Sequence, residues 1–188
     1  MALARHRSPS RRRIPPSVTR PSLLADGSDA TFRAFIQTVF SVAGRLELIR
    51  ERVGALYGIS GAQFTILMGA LHLQGSTGVS IGVLAERVHL RATFVTTQTN
   101  KLRESGLINK RDNPLDGRGV LLSLSDDGVA LLERMLPIVS QLNDRIFGDL
   151  TRAEFSTMHA VNDRLLDSTD DALAMVERLG KRARRESA

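Results

Sequence analysis

The sequence predicts a mainly α-helical chain with one small β-hairpin, on three observations. Long stretches repeat apolar residues every three or four positions, and capping pairs stand at the head of several of them. One turn-rich segment, Asp112-Asn113-Pro114-Leu115-Asp116-Gly117, lies between two short apolar runs. The 188 residues suit one domain of ordinary size with tails, and 42% apolar with 24% charged residues is a composition that folds.

Taken in order, Phe35, Val39, Val42, Leu46, Ile49 and Val53 form one stripe of a long helix over residues 31–57, which Gly58 can end. Ser60 and Gln63 make a capping box. It opens a helix whose Phe64, Leu67, Met68 and Leu71 share a face, until Gln74-Gly75-Ser76-Thr77-Gly78 breaks the pattern. Ser80 caps a short helix with Ile81, Leu84, Ala85 and Val88 inward. A further helix spans about 91–105, anchored by Val95 and Leu102 and closed by Gly106. Two short helices joined so tightly suggest a helix-turn-helix.

Strands are expected at 107–111 and 118–124, with Arg111 and Arg118 at the hairpin tip. Ser125-Asp126-Asp127 starts a helix with acids at the positive end of its dipole. That helix continues through Val129, Leu132, Leu136, Val139, Leu142 and Ile146, and Pro137 is expected to bend it. Thr151 and Glu154 form a second capping box. The last helix turns Phe155, Met158, Val161 and Leu165 inward, with a break expected near Ser168 and an end near Leu179.

A helix-turn-helix followed at once by a two-stranded wing is a winged helix. The expected organisation is a disordered basic tail over 1–27, a folded region over 28–180 and a second basic tail over 181–188. Within the folded region, 60–125 is the winged helix-turn-helix, while 28–58 and 126–180 are long dimerisation helices. These flanking helices are too apolar for so small a module to satisfy. Leu46, Ile49, Val53, Ile138 and Leu142 need burial, and a second copy of the chain is the simplest partner.

Composition excludes several functions. Zero Cys removes disulfides, thiolate metal sites, a Cys nucleophile and thiol redox sensing. With no Trp and one Tyr, aromatic stacking platforms for single-stranded nucleic acid are not expected. No apolar run is long enough for a membrane span. The sequence shows no nucleophile elbow, phosphate-cradling glycine loop or paired catalytic carboxylates, and no His at metal-ligand spacing. An enzyme, a metal and a cofactor are therefore not expected.

Charge is distributed unevenly. Six arginines and no acid precede Asp26, and the segment after Leu179 carries +3; with a total of +6, the middle is left at −3. The leader is also rich in Pro and Ser, a solvated composition that could touch phosphates. It has the Arg and Ser content of an organellar transit peptide, although four prolines work against the helix such a signal needs. No apolar segment of a secretory signal follows the early arginines. Inside the acidic middle, Arg87, Arg91, Lys101, Arg103, Lys110, Arg111 and Arg118 face only Glu104, Asp112 and Asp116. Positive charge concentrated on one module is the footprint of nucleic-acid binding.

The segments QFTIL at 63–67, VLAERVHL at 83–90, FVTTQTNKLRESGLI at 94–108 and, most specifically, KRDNPLDGRGVLLSLSDDG at 110–128 carry a resemblance. In this order and spacing the chain resembles the MarR (multiple antibiotic resistance regulator) family of winged-helix transcription regulators, over about 58–166. Gly117 departs from the pattern, which usually has a second basic residue there; Ser125 replaces a commoner Thr, and the Arg-rich leader lies outside it. The resemblance implies a cytoplasmic homodimer with intertwined first and last helices, presenting two winged helices to a pseudo-palindromic double-stranded DNA operator. It also implies a pocket for a small, often anionic and aromatic, effector.

Within that frame the helix over 91–105 is the recognition helix. Arg91, Thr93, Thr96, Thr97, Asn100 and Lys101 are polar at positions the core does not need. A hydroxyl-rich, β-branched surface lowers helix propensity, so a solvated face alone explains it poorly. Lys110 and Arg111 add wing charge. Arg118 is expected in the minor groove, with Asp116 holding its guanidinium. A bare Asp-x-Arg is more often a surface ion pair of little energetic weight. Gln37, Ser41, Arg45, Met68 and His72 are the candidate effector contacts, with Phe40 as apolar wall; Arg45 could equally make a surface salt bridge. Two other readings fit a winged helix: a protein-interaction module, and a nonspecific architectural DNA-binding protein.

Overall fold

A computed structural model describes residues 14–114 and 116–186, the side chains of 116–118 and 186 aside. Six α-helices and three short strands follow in the order α1 (Ala30–Leu56), α2 (Gly61–Leu73), β1 (Val79–Ser80), α3 (Ile81–Arg87), α4 (Ala92–Glu104), β2 (Ile108–Asn113), β3 (Asp116–Leu124), α5 (Asp126–Phe147) and α6 (Arg152–Glu186). The chain divides after Met135 into two bodies. The first holds α1 to α4, the sheet and the start of α5. The second holds the rest of α5 and all of α6.

Local chemistry sets the helix ends. After α1, Gly58 adopts φ +74°, and the Ile59 amide donates to the Gly54 carbonyl at 3.1 Å, a left-handed cap closing the last turn. The same device ends α4, where Gly106 has φ +74° and the Leu107 amide reaches the Leu102 carbonyl at 2.8 Å. The Ser60–Gln63 box forms in both directions, and Thr151 with Glu154 does likewise.

The sheet has strand order β1-β3-β2 and is antiparallel throughout. Its register pairs Ile108 with Leu124 and Asn113 with Asp116, with an irregularity between Asp112 and Asn113. The hairpin matches expectation, but its third strand was not legible. Val79 and Ser80 are too few to show a period and gain their strand character by pairing with Leu122 and Leu121.

The core of the first body comprises Ile66, Leu67, Ala70, Leu84, Val95, Leu102, Ile108, Leu122, Leu132 and Met135, each no more than 2% exposed. Two expected faces are corrected. Helix α2 buries Ile66 and Ala70 while Leu71 is exposed, because it is apolar nearly all round and its periodicity does not single out a face. In α5, Leu131 and Met135 are buried beside Leu132, and Val129 and Leu136 lie outside. Gly128 lets the start of α5 lie close to the chain at Leu107, since a Cβ there would collide with the Leu107 carbonyl oxygen.

Two boundaries also differ from expectation. Residues 14–27 of the expected leader include a 3-10 turn at Pro21–Leu23, and residues 1–13 lie outside the described residues. The Ser17 amide and hydroxyl donate to the buried Asp29 carboxylate at 2.6 and 2.7 Å, and Arg33 pairs with it at 2.7 Å. These two bonds from Ser17, followed by the Arg33 charge, lower the Asp29 pKa. Helix α6 runs unbroken past Ser168, whose hydroxyl donates to the Arg164 carbonyl within the helix. It continues through Lys181, Arg182, Arg184 and Arg185, expected as a tail. Among the described residues no single helix is long and apolar enough to cross a membrane.

Candidate nucleic-acid interface

Helices α3 and α4 form the helix-turn-helix. Ser80 caps α3 through the Val83 amide. The turn between the helices places His89 at φ +50°, with the Leu90 amide on the Ala85 carbonyl at 3.0 Å. A left-handed histidine is costlier than glycine there, so the turn is held by its own bonds and by burial of Leu84, Ala85 and Val95 on either side. The N-cap of α4, Arg91, makes no side-chain cap, and no acid stands in the first turn. This helix start therefore favours an anion.

Val95, Thr99 and Leu102 form the buried side of α4. At 100° per residue, Thr93, Thr97 and Asn100 fall on the opposite side, and all three are exposed, as are Arg91 and Lys101. Thr96 is only half-buried, at the margin of this face. The Thr96 and Thr97 hydroxyls donate to the Ala92 and Thr93 carbonyls at 2.8 and 3.1 Å. Their hydrogens are thus used within the helix, and each threonine offers outward a methyl group and an acceptor lone pair.

Two wing cations are engaged with the protein itself. Lys110 donates from Nζ to Asn100 Oδ1 at 2.7 Å, bridging β2 to α4. Burial and then the nearby Arg103 charge depress its pKa. The Arg111 guanidinium donates to the Thr77 carbonyl at 2.6 Å, tying the wing to the loop before β1. Arg111 lies opposite Leu121 in mid-strand, so its expected place at the tip is corrected. The hairpin is longer than composition suggested because β2 continues through the polar Asp112 and Asn113. The backbone of Asp116 and Arg118 belongs to β3, while their side chains, and with them the expected Asp116–Arg118 pair, lie outside the described residues.

Sequence reasoning missed the polar bonds that fix this module. Glu51 accepts from the Gly61 amide at 2.5 Å, and Gln74 accepts from the Leu124 amide at 2.7 Å. Ser125 donates to the Gly106 carbonyl at 2.5 Å while accepting from Gly128 at 3.0 Å. Only the last bond, a local cap, had a signal in the sequence.

Of the expected effector contacts, Gln37, Ser41 and Arg45 are exposed on α1, and Met68 is half-buried. His72 is exposed, and its Nδ1 lies 2.8 Å from the Met68 carbonyl oxygen on its own helix. A cavity of about 320 Å³ lies elsewhere, lined by Ser22, Leu23, Leu24, Ala25, Thr31, Phe32 and Phe35. Among the described residues, no cluster of three His, Asp or Glu could hold a metal.

The family model described as "MarR family" matches residues 57–119, the segment from the α1 cap into the wing. The HTH-type transcriptional regulator PrsX of Escherichia coli is 28% identical over 123 residues, 65% of this chain and 73% of that protein. The family-model match places residues 57–119, a third of the chain, with the MarR family. Two solved structures share the fold. A mutant MarR from E. coli complexed with operator DNA superposes with a TM-score of 0.60 at 22% identity, covering 69% of this chain and 91% of that one. The PcaV regulator of Streptomyces coelicolor in complex with its natural ligand gives a TM-score of 0.56 at 22% identity, covering 68% and 91%. The curated relatives and the shared fold are those of transcription regulators, not of enzymes.

Proposed function

We propose that this regulator is a cytoplasmic homodimer that binds a pseudo-palindromic duplex operator and is released by a small effector. The observation that carries DNA recognition is the outward face of α4, where Thr93, Thr97, Asn100 and Lys101 stand exposed beside Arg91 at an uncapped, acid-free helix start. Thr96 borders this face, Lys110 braces it through Asn100, Arg111 ties the wing to the loop before β1, and Arg118, aimed by Asp116, reaches the minor groove from the wing. In a two-fold dimer, two such helices enter successive major grooves with half-site centres ~10 bp apart.

Dimerisation is supported by apolar residues left in the open. Phe35, Val39 and Val42 on α1 and Phe155, Met158, Val161 and Leu165 on α6 are all exposed, although each belongs to a regular apolar stripe. A two-fold copy of the chain is the simplest cover for each stripe. Release follows if the effector prefers a dimer whose recognition helices no longer match two grooves. Gln37, Ser41, Arg45, Met68 and His72 are the proposed contacts for an anionic aromatic compound. The co-structure of PcaV with its natural ligand supports a small-molecule signal.

The test is fluorescence anisotropy with the duplex upstream of the protein's own coding region against a scrambled duplex, over a salt series. Preference of ~10³-fold or more supports a site-specific regulator. Equal binding that vanishes with salt points to a nonspecific architectural protein, and capture of a partner protein without duplex binding to an interaction module. In the same assay Arg118→Ala is expected to lose most specific affinity with an unchanged melting temperature. Unaltered operator binding defeats the wing assignment. Sedimentation at micromolar concentration is expected to show a dimer; a monomer overturns the two-fold model.

A further inference from the structure

We propose that Lys110 is a positioning residue for base recognition. It holds Asn100 with its amide oxygen engaged by the wing and its amide hydrogens left for the DNA, so that this position reads an acceptor edge, guanine before adenine. The inference rests on the DNA-binding reading above and names a residue's role within it.

The geometry is specific. Asn100 lies on the outward face of α4, in the row of Thr93 and Thr97, and Lys110 Nζ reaches its side chain from β2 at 2.7 Å. An ammonium only donates, so the atom it touches is Oδ1 and the orientation of the amide is decided by its partner. The flipped amide would set N–H donors against a positive charge, and it would strip a half-buried ammonium of its acceptor. One of the two amide orientations is therefore held before DNA arrives.

What this presents to a major groove follows from donor counting. Nδ2 offers two hydrogens. Guanine offers two acceptors, N7 and O6, whereas adenine offers N7 beside an N6 donor. The bidentate adenine pair asks the amide oxygen to accept from N6 through its second lone pair while Lys110 holds the first. The ammonium beside it repels the approaching N6 donor and weakens that pair. Cytosine, with only a donor in the groove, is disfavoured. Neighbouring Thr97, its hydroxyl hydrogen used within the helix, offers a methyl group and an acceptor and does not compete for the same base atoms.

The experiment is a comparison of operator duplexes carrying each base pair at every half-site position, using the full-length wild-type protein and Lys110→Met, Asn100→Ala, their double variant, Lys110→Arg and Asn100→Asp. One position is expected to favour guanine by ~10-fold, the discrimination of one good base contact. Lys110→Met and Asn100→Ala each flatten the preference at that same position, and the double variant flattens it no further. The Lys110→Met variant keeps the wild-type salt slope, and Lys110→Arg, which retains a donor, restores the preference. Asn100→Asp keeps the Lys110 bond but turns an acceptor outward, so its preference moves to a donor edge such as cytosine; this variant also serves if the methionine variant does not fold.

Unchanged base preference in Lys110→Met, together with a salt slope lower by about one, overturns the proposal and makes Lys110 a phosphate contact. Guanine preference retained by Asn100→Asp overturns it as well. A wild-type protein without preference for any duplex defeats the DNA-binding reading itself, a result seen before any variant is compared.

Discussion

Helix α2 is 13 residues long and buries Gly61, Phe64, Ile66, Leu67 and Ala70, whereas α6 runs for 35 residues with Phe155, Met158, Val161 and Leu165 all exposed. The two differ in what surrounds them. α2 packs against α1, α3, α4 and β3 within the first body. α6 carries a comparable apolar stripe whose residues are exposed. Periodicity thus locates an apolar face and leaves open whether the same chain or a second copy covers it. In this protein the difference separates the module that holds the proposed recognition surface from the helices proposed to pair two such modules.

The sharpest way to break this comparison is to damage one residue of each kind. Leu84→Ala, at a fully buried position between the helices of the DNA-binding module, should lower stability by ~2–5 kcal/mol independently of protein concentration. Leu165→Glu should leave the first body folded but convert the dimer to monomers in sedimentation, with a melting temperature that no longer rises with concentration. If Leu165→Glu remains dimeric, the α6 stripe is not the interface.

Next in size, Gly128→Ala should cost ~1–3 kcal/mol, because the new methyl meets the Leu107 carbonyl and α5 must move. Denaturant midpoints measure it. A neutral result means α5 can shift at no cost.

Capping boxes provide a finer contrast. Ser60→Ala and Thr151→Ala remove similar local bonds, each worth ~1 kcal/mol. The first should lower global stability, since α2 is locked into the core. The second should mainly raise hydrogen exchange at the start of α6. Equal effects on global unfolding would show the two bodies folding as one unit.

The smallest effect concerns the leader. The Asp29 pKa is lowered by Ser17 and Arg33, so its charged form is favoured in the folded chain. That contribution is present above the unfolded carboxylate pKa and is lost as pH falls through the lower folded value. Asp29→Asn should therefore abolish acid-dependent release of residues 14–28, followed by protease sensitivity at low pH. An unchanged acid profile would mean the Ser17 bonds do not hold the leader.

What was legible in the sequence is what closes within a few residues. The Ser60–Gln63 and Thr151–Glu154 boxes, the Gly58 and Gly106 caps and the turn between β2 and β3 form from neighbours on the chain, so residue type and spacing suffice to place them. Helix α4, proposed to read the DNA, was readable for the same reason, with Val95 and Leu102 anchoring one side and Thr93, Thr97 and Asn100 left on the other.

Tertiary structure alone decided the bonds between segments far apart in sequence: Lys110 on Asn100, Arg111 on the Thr77 carbonyl, Leu124 on Gln74 and the β1–β3 pairing. Each joins elements whose approach depends on how Leu84, Val95, Leu102 and Leu122 fill one core. Composition marked Lys110 and Arg111 as charge available to DNA. Packing turned both side chains back onto the protein, and for the half-buried Lys110 the reason is that a donor withdrawn from water must find an acceptor.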